Sequence, residues 1–299
     1  MTTARKRSSN SPEAPAPHNG FSLISNEKLL QLYTTMLKCR MIEQRIRALA
    51  KEDASIETTM TAGEEAVAAG IVLDLLSGDT LAPSHGGFIP SFVKGLSLEA
   101  IFGRIFSSLS DQRAKPRPRY AALNLIPPSL SLGVQLDRAI GAAVESKKSK
   151  DKKITVAFCG SSSDSRGHLH EAMRHAGKLR LPILLVCHSD PASDEICRQA
   201  QDFGFPGVTV DGDDAVAVYR VATEAVTHAR RGSGPTLIEC KPWVLPGQPS
   251  VRRSTGRNPI LRMEEYLTRK GLFDRKLKSA VTASFRRELD AAIKITWDS

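Results

Sequence analysis

Hydrophobic residues recur every three or four positions in the first third of the chain, with basic and polar residues between them. The longest such run covers residues 25–51, and the same spacing returns at residues 62–76 and 98–109. This period places the hydrophobic side chains on one face of an α-helix. The pattern therefore predicts three amphipathic helices in this part of the chain.

The pattern then changes to short apolar runs rich in β-branched residues, which alternate with further helical patterns. Strands that are apolar on both faces and alternate with helices are typical of a buried parallel sheet. We therefore predict an α/β fold with a mostly parallel sheet flanked by helices. The predicted strands are residues 80–82, 154–159, 183–187, 207–210 and 236–240, and the further predicted helices are residues 132–147, 169–179, 215–230, 261–270 and 276–295.

Composition bears on the domain organisation. The chain has 299 residues, 41% of them hydrophobic, which is enough for one large domain. Residues 1–20 contain almost no large apolar side chain, so burial there would not offset the entropy lost on ordering. We predict a disordered tail over residues 1–20 and a single domain over residues 21–299. With no run long enough to cross a bilayer and no recognisable secretory signal, we expect a cytoplasmic protein.

The formal net charge of +10 raises the question of nucleic acid, because clustered basic residues can bind phosphate backbones. Two basic runs stand out, at residues 113–119 and 147–153. Neither contains aromatic residues for base stacking, and only 5% of the chain is aromatic. We therefore interpret both runs as solvated loops. The five cysteines lack paired metal-ligand spacing and are expected to be reduced, mostly buried thiols.

The carboxyl ends of the predicted strands are the expected ligand site, since parallel α/β sheets bind ligands there. This principle selects residues 160–167, after one strand, and Ser189 with Asp190, after the next. A helix that begins in such a loop offers unpaired N–H groups to a phosphate, and a carboxylate can hold the divalent ion that neutralises it. We expect the two loops to face one another.

At this point the chain resembles the alpha subunits of pyruvate and branched-chain 2-oxo acid dehydrogenases, from about residue 29 to residue 295. Each matching motif is short, but their order and spacing together are specific. The motifs are GEEA at 63–66, GAA at 141–143, GHLHEA at 167–172, LP at 181–182, FPG at 205–207, VDGDD at 210–214 and GPTLIE at 234–239.

The resemblance implies a thiamine-diphosphate-binding fold that holds thiamine diphosphate and Mg²⁺ between an alpha and a beta chain. In that family a 2-oxo acid is oxidatively decarboxylated, and the acyl group passes to a lipoyl group on an acyltransferase component. The carboxylate that activates the cofactor comes from the beta-type subunit. The resemblance therefore implies an enzyme only as part of an alpha/beta complex.

The cofactor motif departs from the family pattern. By resemblance Gly160, Ser161, Ser162 and Asp190 bind the cofactor, but Ser161 stands where the family has its metal-binding aspartate. A neutral hydroxyl is a poor Mg²⁺ ligand. Asp190 restores a negative charge and is the candidate metal ligand of a rewired site. The alternative is that Asp190 and Asp164 are helix caps or turn residues.

His85 corresponds to a family histidine near the reacting centre, where an imidazole could donate to an oxyanion or shuttle a proton. It could equally be a residual loop residue. Pro83 stands where the family arginine would grip the diphosphate, and Gln248 replaces a second histidine. Two main hypotheses remain: a diverged but working alpha subunit, or a non-catalytic relative that serves as an interaction or regulatory subunit. A nucleic-acid binder is the weakest alternative.

Overall fold

Five parallel strands form the sheet of this computed structural model, in the order β1-β2-β3-β5-β4. The structure describes residues 24–52, 64–84, 87–106, 119–129, 131–160, 166–189, 196–241 and 258–297. The predicted α/β architecture is confirmed. The strands are β1 Thr80–Ala82, β2 Thr155–Gly160, β3 Ile183–His188, β4 Gly207–Asp211 and β5 Thr236–Lys241.

Helices surround this sheet, and those predicted from the hydrophobic period are present. They are α1 Asn26–Glu52, α2 Glu64–Val72, α3 Phe88–Val93, α4 Leu98–Phe106, α5 Arg119–Ala122, α6 Leu132–Ser149, α7 Arg166–Lys178, α8 Ile196–Asp202, α9 Ala215–Arg230, α10 Pro259–Arg269 and α11 Arg275–Trp297. The sequence did not predict α3, α5 and α8, because each is too short to show a clear helical period.

Helix α2 ends four residues before the predicted boundary at residue 76. The backbone N–H of Leu75 turns back to the Val72 carbonyl at 3.0 Å, and the Leu76 N–H donates to the Asp79 carboxylate at 2.7 Å. The side chain of Asp79 thus takes a donor that a longer helix would have used internally. A local hydrogen bond, which the hydrophobic period does not report, decides the boundary.

Both faces of the sheet are covered, which explains why its strands are apolar throughout. Alternate residues such as Phe158 and Val186 face a core completed by α9 and parts of α1, α2, α4 and α11. Their neighbours, such as Ala157 and Leu185, face a second core built with α6, α7 and α8. Because side chains alternate along a strand, each strand contributes to both cores.

A glycine allows one of the close contacts in the first core. Helices α2 and α9 pack together at Gly70, where a Cβ would lie 2.7 Å from Cγ1 of Val218. Any side chain at residue 70 would therefore push the two helices apart. Within the described ranges no helix combines the length and apolar character needed to span a bilayer.

The predicted tail at residues 1–20 and residues 113–118 of the basic run lie outside the described residues, whereas Arg119 begins α5. That residues 21–299 form a single domain stays a prediction.

Candidate functional site

The carboxyl ends of β2 and β3 lie side by side, as the ligand-site prediction requires. Gly160, the last residue of β2, is in register with His188, the last residue of β3. Helix α7 begins at Arg166, so five residues separate β2 from the next helix. The loops that follow these two strands therefore leave the sheet from adjacent positions on one edge, which we call the carboxyl edge.

Most of the predicted site residues cannot be compared with this geometry. Of the candidates, Gly160 is described at the end of β2, whereas His85, Ser161, Ser162 and Asp190 lie outside the described residues. Strand β1 pairs with β2 and ends at Ala82, three residues before His85 in the sequence. The roles of all five residues stay predictions.

A buried carboxylate lies just below the carboxyl edge. Glu239 of β5 has no exposed surface. Its Oε1 accepts a hydrogen bond from the Ser189 hydroxyl at 2.7 Å, and its Oε2 accepts one from the Thr209 hydroxyl at 3.4 Å. The Nζ atom of Lys241 lies 3.5 Å from Oε1. A charge removed from water is costly unless it is paired and hydrogen-bonded, and these three groups supply that compensation.

Glu239 belongs to a row of non-aliphatic side chains that crosses the sheet. Cys159, Cys187, Glu239 and Thr209 occupy in-register positions on β2, β3, β5 and β4. Because in-register residues of a parallel sheet point to the same face, this row lies on the face covered by α6, α7 and α8. It separates the apolar core from the carboxyl edge.

The Ser189 residue is held by both its backbone and its side chain. Its N–H donates to the Cys240 carbonyl at 3.2 Å, and its hydroxyl donates to Glu239. Both acceptors belong to β5, so the chain is fixed at the point where it leaves β3. Asp190 is the next residue. The start of the loop that carries the candidate metal ligand is therefore set by β5.

Sequence reasoning did not single out Glu239 as a site residue. In the sequence Glu239 stands as the last residue of the GPTLIE motif at 234–239. A signal was nevertheless present, because Glu239 interrupts a strand that is otherwise apolar on both faces. Glutamate is almost never fully buried unless it is paired. An acid in such a strand therefore predicts buried partners, although it does not say which.

Two thiols near this edge, Cys187 and Cys197, have raised pKa values. All five cysteines of the chain are free and buried, as predicted. The Sγ atoms of Cys159 and Cys187 lie 2.7 Å apart, and this hydrogen bond, followed by burial, raises the pKa of Cys187 well above its usual value. Burial and the nearby Glu239 raise the pKa of Cys197 to about 11. Cys187 and Cys197 are therefore not activated nucleophiles.

The described side chains at the carboxyl edge fit an anion better than a metal ion. Lys241 supplies a cation with 19% of its side chain exposed. The carboxylate of Glu239 is already engaged by two hydroxyls and an ammonium group. Within the part of the chain that the structure describes, no group of three or more His, Cys, Asp or Glu residues could hold a metal. A divalent ion at this edge would therefore depend on residues such as Asp190.

A separate cavity of about 280 Å³ lies between the N-terminus of α9 and helix α10. Asp214 caps α9 by accepting from the Val216 and Ala217 backbone N–H groups, each at 3.0 Å. The Arg262 guanidinium bridges Asp211 and Asp214 on one wall. This bridge ties α10 to the end of β4. The cavity does not coincide with the site that the sequence predicted.

Comparison with known proteins agrees with this fold. The family model for the dehydrogenase E1 component matches residues 33–245. The alpha subunit of acetoin:2,6-dichlorophenolindophenol oxidoreductase from Bacillus subtilis is 32% identical over 237 residues, which cover 74% of this chain and 71% of that protein. The chloroplastic alpha-3 subunit of the pyruvate dehydrogenase E1 component from Arabidopsis thaliana is 28% identical over 315 residues, covering 94% and 73%.

A solved structure shares the architecture. Transketolase from Campylobacter jejuni superposes with a TM-score of 0.54 at 16% identity, over 90% of this chain and 48% of the transketolase chain. The chain thus spans about half of that protein, and the likeness concerns the fold alone. Fold and edge define an α/β protein with a parallel sheet whose carboxyl edge is the expected ligand site. The family match is more specific: the chain belongs to the dehydrogenase E1 component family, as the sequence predicted. Membership of this family implies thiamine diphosphate as the cofactor.

Proposed function

We propose that this chain is the alpha subunit of a thiamine-diphosphate-dependent 2-oxo acid dehydrogenase and works with a beta-type subunit. The reaction is the oxidative decarboxylation of a 2-oxo acid, with transfer of the acyl group to the lipoyl group of an acyltransferase component. Family membership and two curated alpha-subunit relatives support the proposal. Bound thiamine diphosphate would supply the electron sink that decarboxylation needs.

The structural observation that most supports this function is the hydrogen bond between Ser189 and Glu239. The hydrogen bond between Ser189 and Glu239 holds the chain at the residue before Asp190, beside the in-register ends of β2 and β3. A ligand held between two loops needs both loop origins fixed, because a displacement of about 1 Å can weaken a site severely. The buried Glu239 network supplies that rigidity from β5.

The proposed roles follow from the chemistry of each group. Lys241 would attract the diphosphate, since an ammonium group is a common phosphate partner. The Asp190 carboxylate would hold Mg²⁺, with Ser161 and Ser162 as neutral donors near Gly160. His85 would donate a hydrogen bond or transfer a proton close to the substrate. We further propose that the protein works in the cytoplasm.

Titration calorimetry of the co-purified alpha/beta pair tests these roles. We expect micromolar or tighter binding of thiamine diphosphate that requires MgCl₂ and that Asp190→Ala lowers about a hundredfold, the loss found when a metal site is disrupted. Asp202→Ala is the matched control, because this exposed aspartate ends α8 and should leave binding unchanged. Undetectable binding to the unmutated pair would overturn the proposal and favour the non-catalytic alternative.

A second measurement separates binding from chemistry. If His85 acts on the substrate, His85→Ala should lower kcat of the pair by about a hundredfold or more while leaving cofactor affinity unchanged. A variant with unchanged kcat would show that His85 is only a loop residue. The control is His170→Ala, since His170 is an exposed residue of α7 that packs its ring against Phe203.

A further inference from the structure

The edge of the sheet opposite the carboxyl edge carries a cluster of exposed basic side chains that the proposed reaction does not use. They lie at the C-terminal ends of α6, α7 and α9 and in the three turns that lead from these helices into β2, β3 and β5. We call this cluster the basic edge; its members are Lys148, Lys150, Lys152, Lys178, Arg180 and Arg231, all exposed. Among the described residues, none of the six forms an ion pair with a carboxylate.

Hydrogen bonds between the three turns hold these residues together. The Lys147 ammonium donates to the Leu179 carbonyl, which joins the first turn to the second. The Arg180 guanidinium donates to the Ser233 carbonyl at 3.2 Å, which joins the second turn to the third. Arg230 donates to the Lys152 carbonyl at 3.1 Å and closes the set. The three turns therefore form one continuous surface.

A buried aspartate, Asp79, lies beneath this surface and holds its backbone in place. Asp79 has no exposed surface and accepts hydrogen bonds from the Ile154 N–H at 3.1 Å and from Nη1 of Arg230 at 3.0 Å. These contacts fix the backbone on both sides of the lysine-rich turn. The backbone that carries the positive charges is thus already ordered, so binding a partner would cost little conformational entropy on this side of the interface.

Three basic residues of the basic edge have backbone conformations that are unfavourable for any residue with a side chain. Lys150, Lys152 and Arg180 have φ angles of 55°, 60° and 45°, in the left-handed region. Glycine or asparagine normally occupies such positions, because a larger side chain strains the backbone. Among the described residues, one other non-glycine residue, Asn124, has a positive φ. The chain therefore places basic residues where a neutral glycine would be less strained.

We propose that the basic edge is a docking site for an acidic segment of a protein partner, rich in Asp and Glu. Charge complementarity would steer and orient such a segment. The three turns contain no aromatic side chain for stacking on bases, which favours protein over single-stranded nucleic acid. A partner bound here would leave the carboxyl edge open. The inference is independent of the proposed catalytic function.

Fluorescence anisotropy with the full chain tests this docking site. The probe is a labelled acidic peptide of about 20 residues that alternates Glu and Ser. The triple variant Lys148→Glu, Lys150→Glu, Lys152→Glu should weaken binding by about tenfold or more, since it reverses the central charges. The control triple variant, Arg286→Glu, Arg287→Glu, Lys294→Glu on α11, carries the same change in net charge and should lose less than about threefold.

Two outcomes would overturn the proposal. Equal weakening by both triple variants would mean that net charge alone attracts the peptide. Tighter binding of a duplex DNA of about 20 base pairs, lost in the first triple variant, would identify a nucleic-acid surface instead.

A second, milder variant keeps the proposal testable if the charge-reversed triple variant fails to fold. Lys150→Gly with Lys152→Gly should raise the midpoint of thermal unfolding, because glycine relieves the left-handed strain, and should still weaken peptide binding. A lowered midpoint, or unchanged peptide affinity, would contradict the view that strain is retained for the sake of charge.

Discussion

The two edges of the sheet each contain one fully buried carboxylate, Asp79 at the basic edge and Glu239 at the carboxyl edge. Asp79 accepts from two backbone N–H groups and from the guanidinium of Arg230. Glu239 accepts from two hydroxyls, with an ammonium group at 3.5 Å. Backbone donors cannot move without unfolding their segments, whereas hydroxyl and ammonium groups can rotate. The buried charge thus ties backbone segments together at the basic edge, whereas at the carboxyl edge it holds the side chain of Ser189 at the start of the loop before Asp190.

The largest effect is expected for Asp79→Ala. The change leaves Arg230 and the Ile154 N–H without their partner in a buried place, which should cost about 3–5 kcal/mol of unfolding free energy. Urea unfolding at neutral pH measures it, with Asp202→Ala as a surface control expected to stay within about 0.5 kcal/mol. A loss below about 1 kcal/mol would refute the stabilising role assigned to Asp79.

A smaller stability effect and a larger functional one are expected for Glu239→Gln. The amide oxygen can still accept from Ser189, so stability should fall by about 1–2 kcal/mol. An amide oxygen accepts from Ser189 more weakly than a carboxylate does, which loosens the start of the loop before Asp190, so the thiamine diphosphate Kd of the alpha/beta pair should rise about tenfold. Calorimetry and urea unfolding of one preparation give both values. A stability loss equal to that of Asp79→Ala would erase the contrast between the two edges.

The smallest effect is confined to alkaline pH and to the carboxyl edge. Burial, with Glu239 nearby, raises the pKa of Cys197 from 9.0 to about 11. Below pH 9 the thiol is protonated in both the folded and unfolded states, so it adds no pH dependence. Between about pH 9 and 11 the unfolded chain loses the proton first, so stability should fall as the pH rises.

The test of this thiol is a comparison of two pH profiles. Unfolding free energy should decline more steeply over this range in the unmutated protein than in Cys197→Ala. Parallel profiles would mean that Cys197 titrates near its ordinary value.

The helices and strands were predictable wherever a long run had a clear period. The 27-residue α1 and the apolar strands β2 and β3 fall within a residue or two of their predicted bounds. Helix α8 was missed because seven residues span barely two turns. Helix α2 was overextended because Asp79, seven residues beyond its end, takes the Leu76 N–H. The hydrophobic period indicates which side chains are buried, but it does not indicate which side chain accepts a hydrogen bond from a particular backbone N–H.

The sequence by itself determined the fold class and the family, and it selected the sheet edge at which we expect a ligand to bind. Those conclusions rest on the local hydrophobic pattern and on the order of motifs, both of which can be read directly from the sequence. Only the tertiary structure decided that Glu239 meets Ser189, 50 positions away, and that Arg230 meets Asp79, 151 positions away. Parallel strands bring distant residues into register, and a buried charge takes whichever donors lie there. The partner of a buried carboxylate is therefore a property of topology.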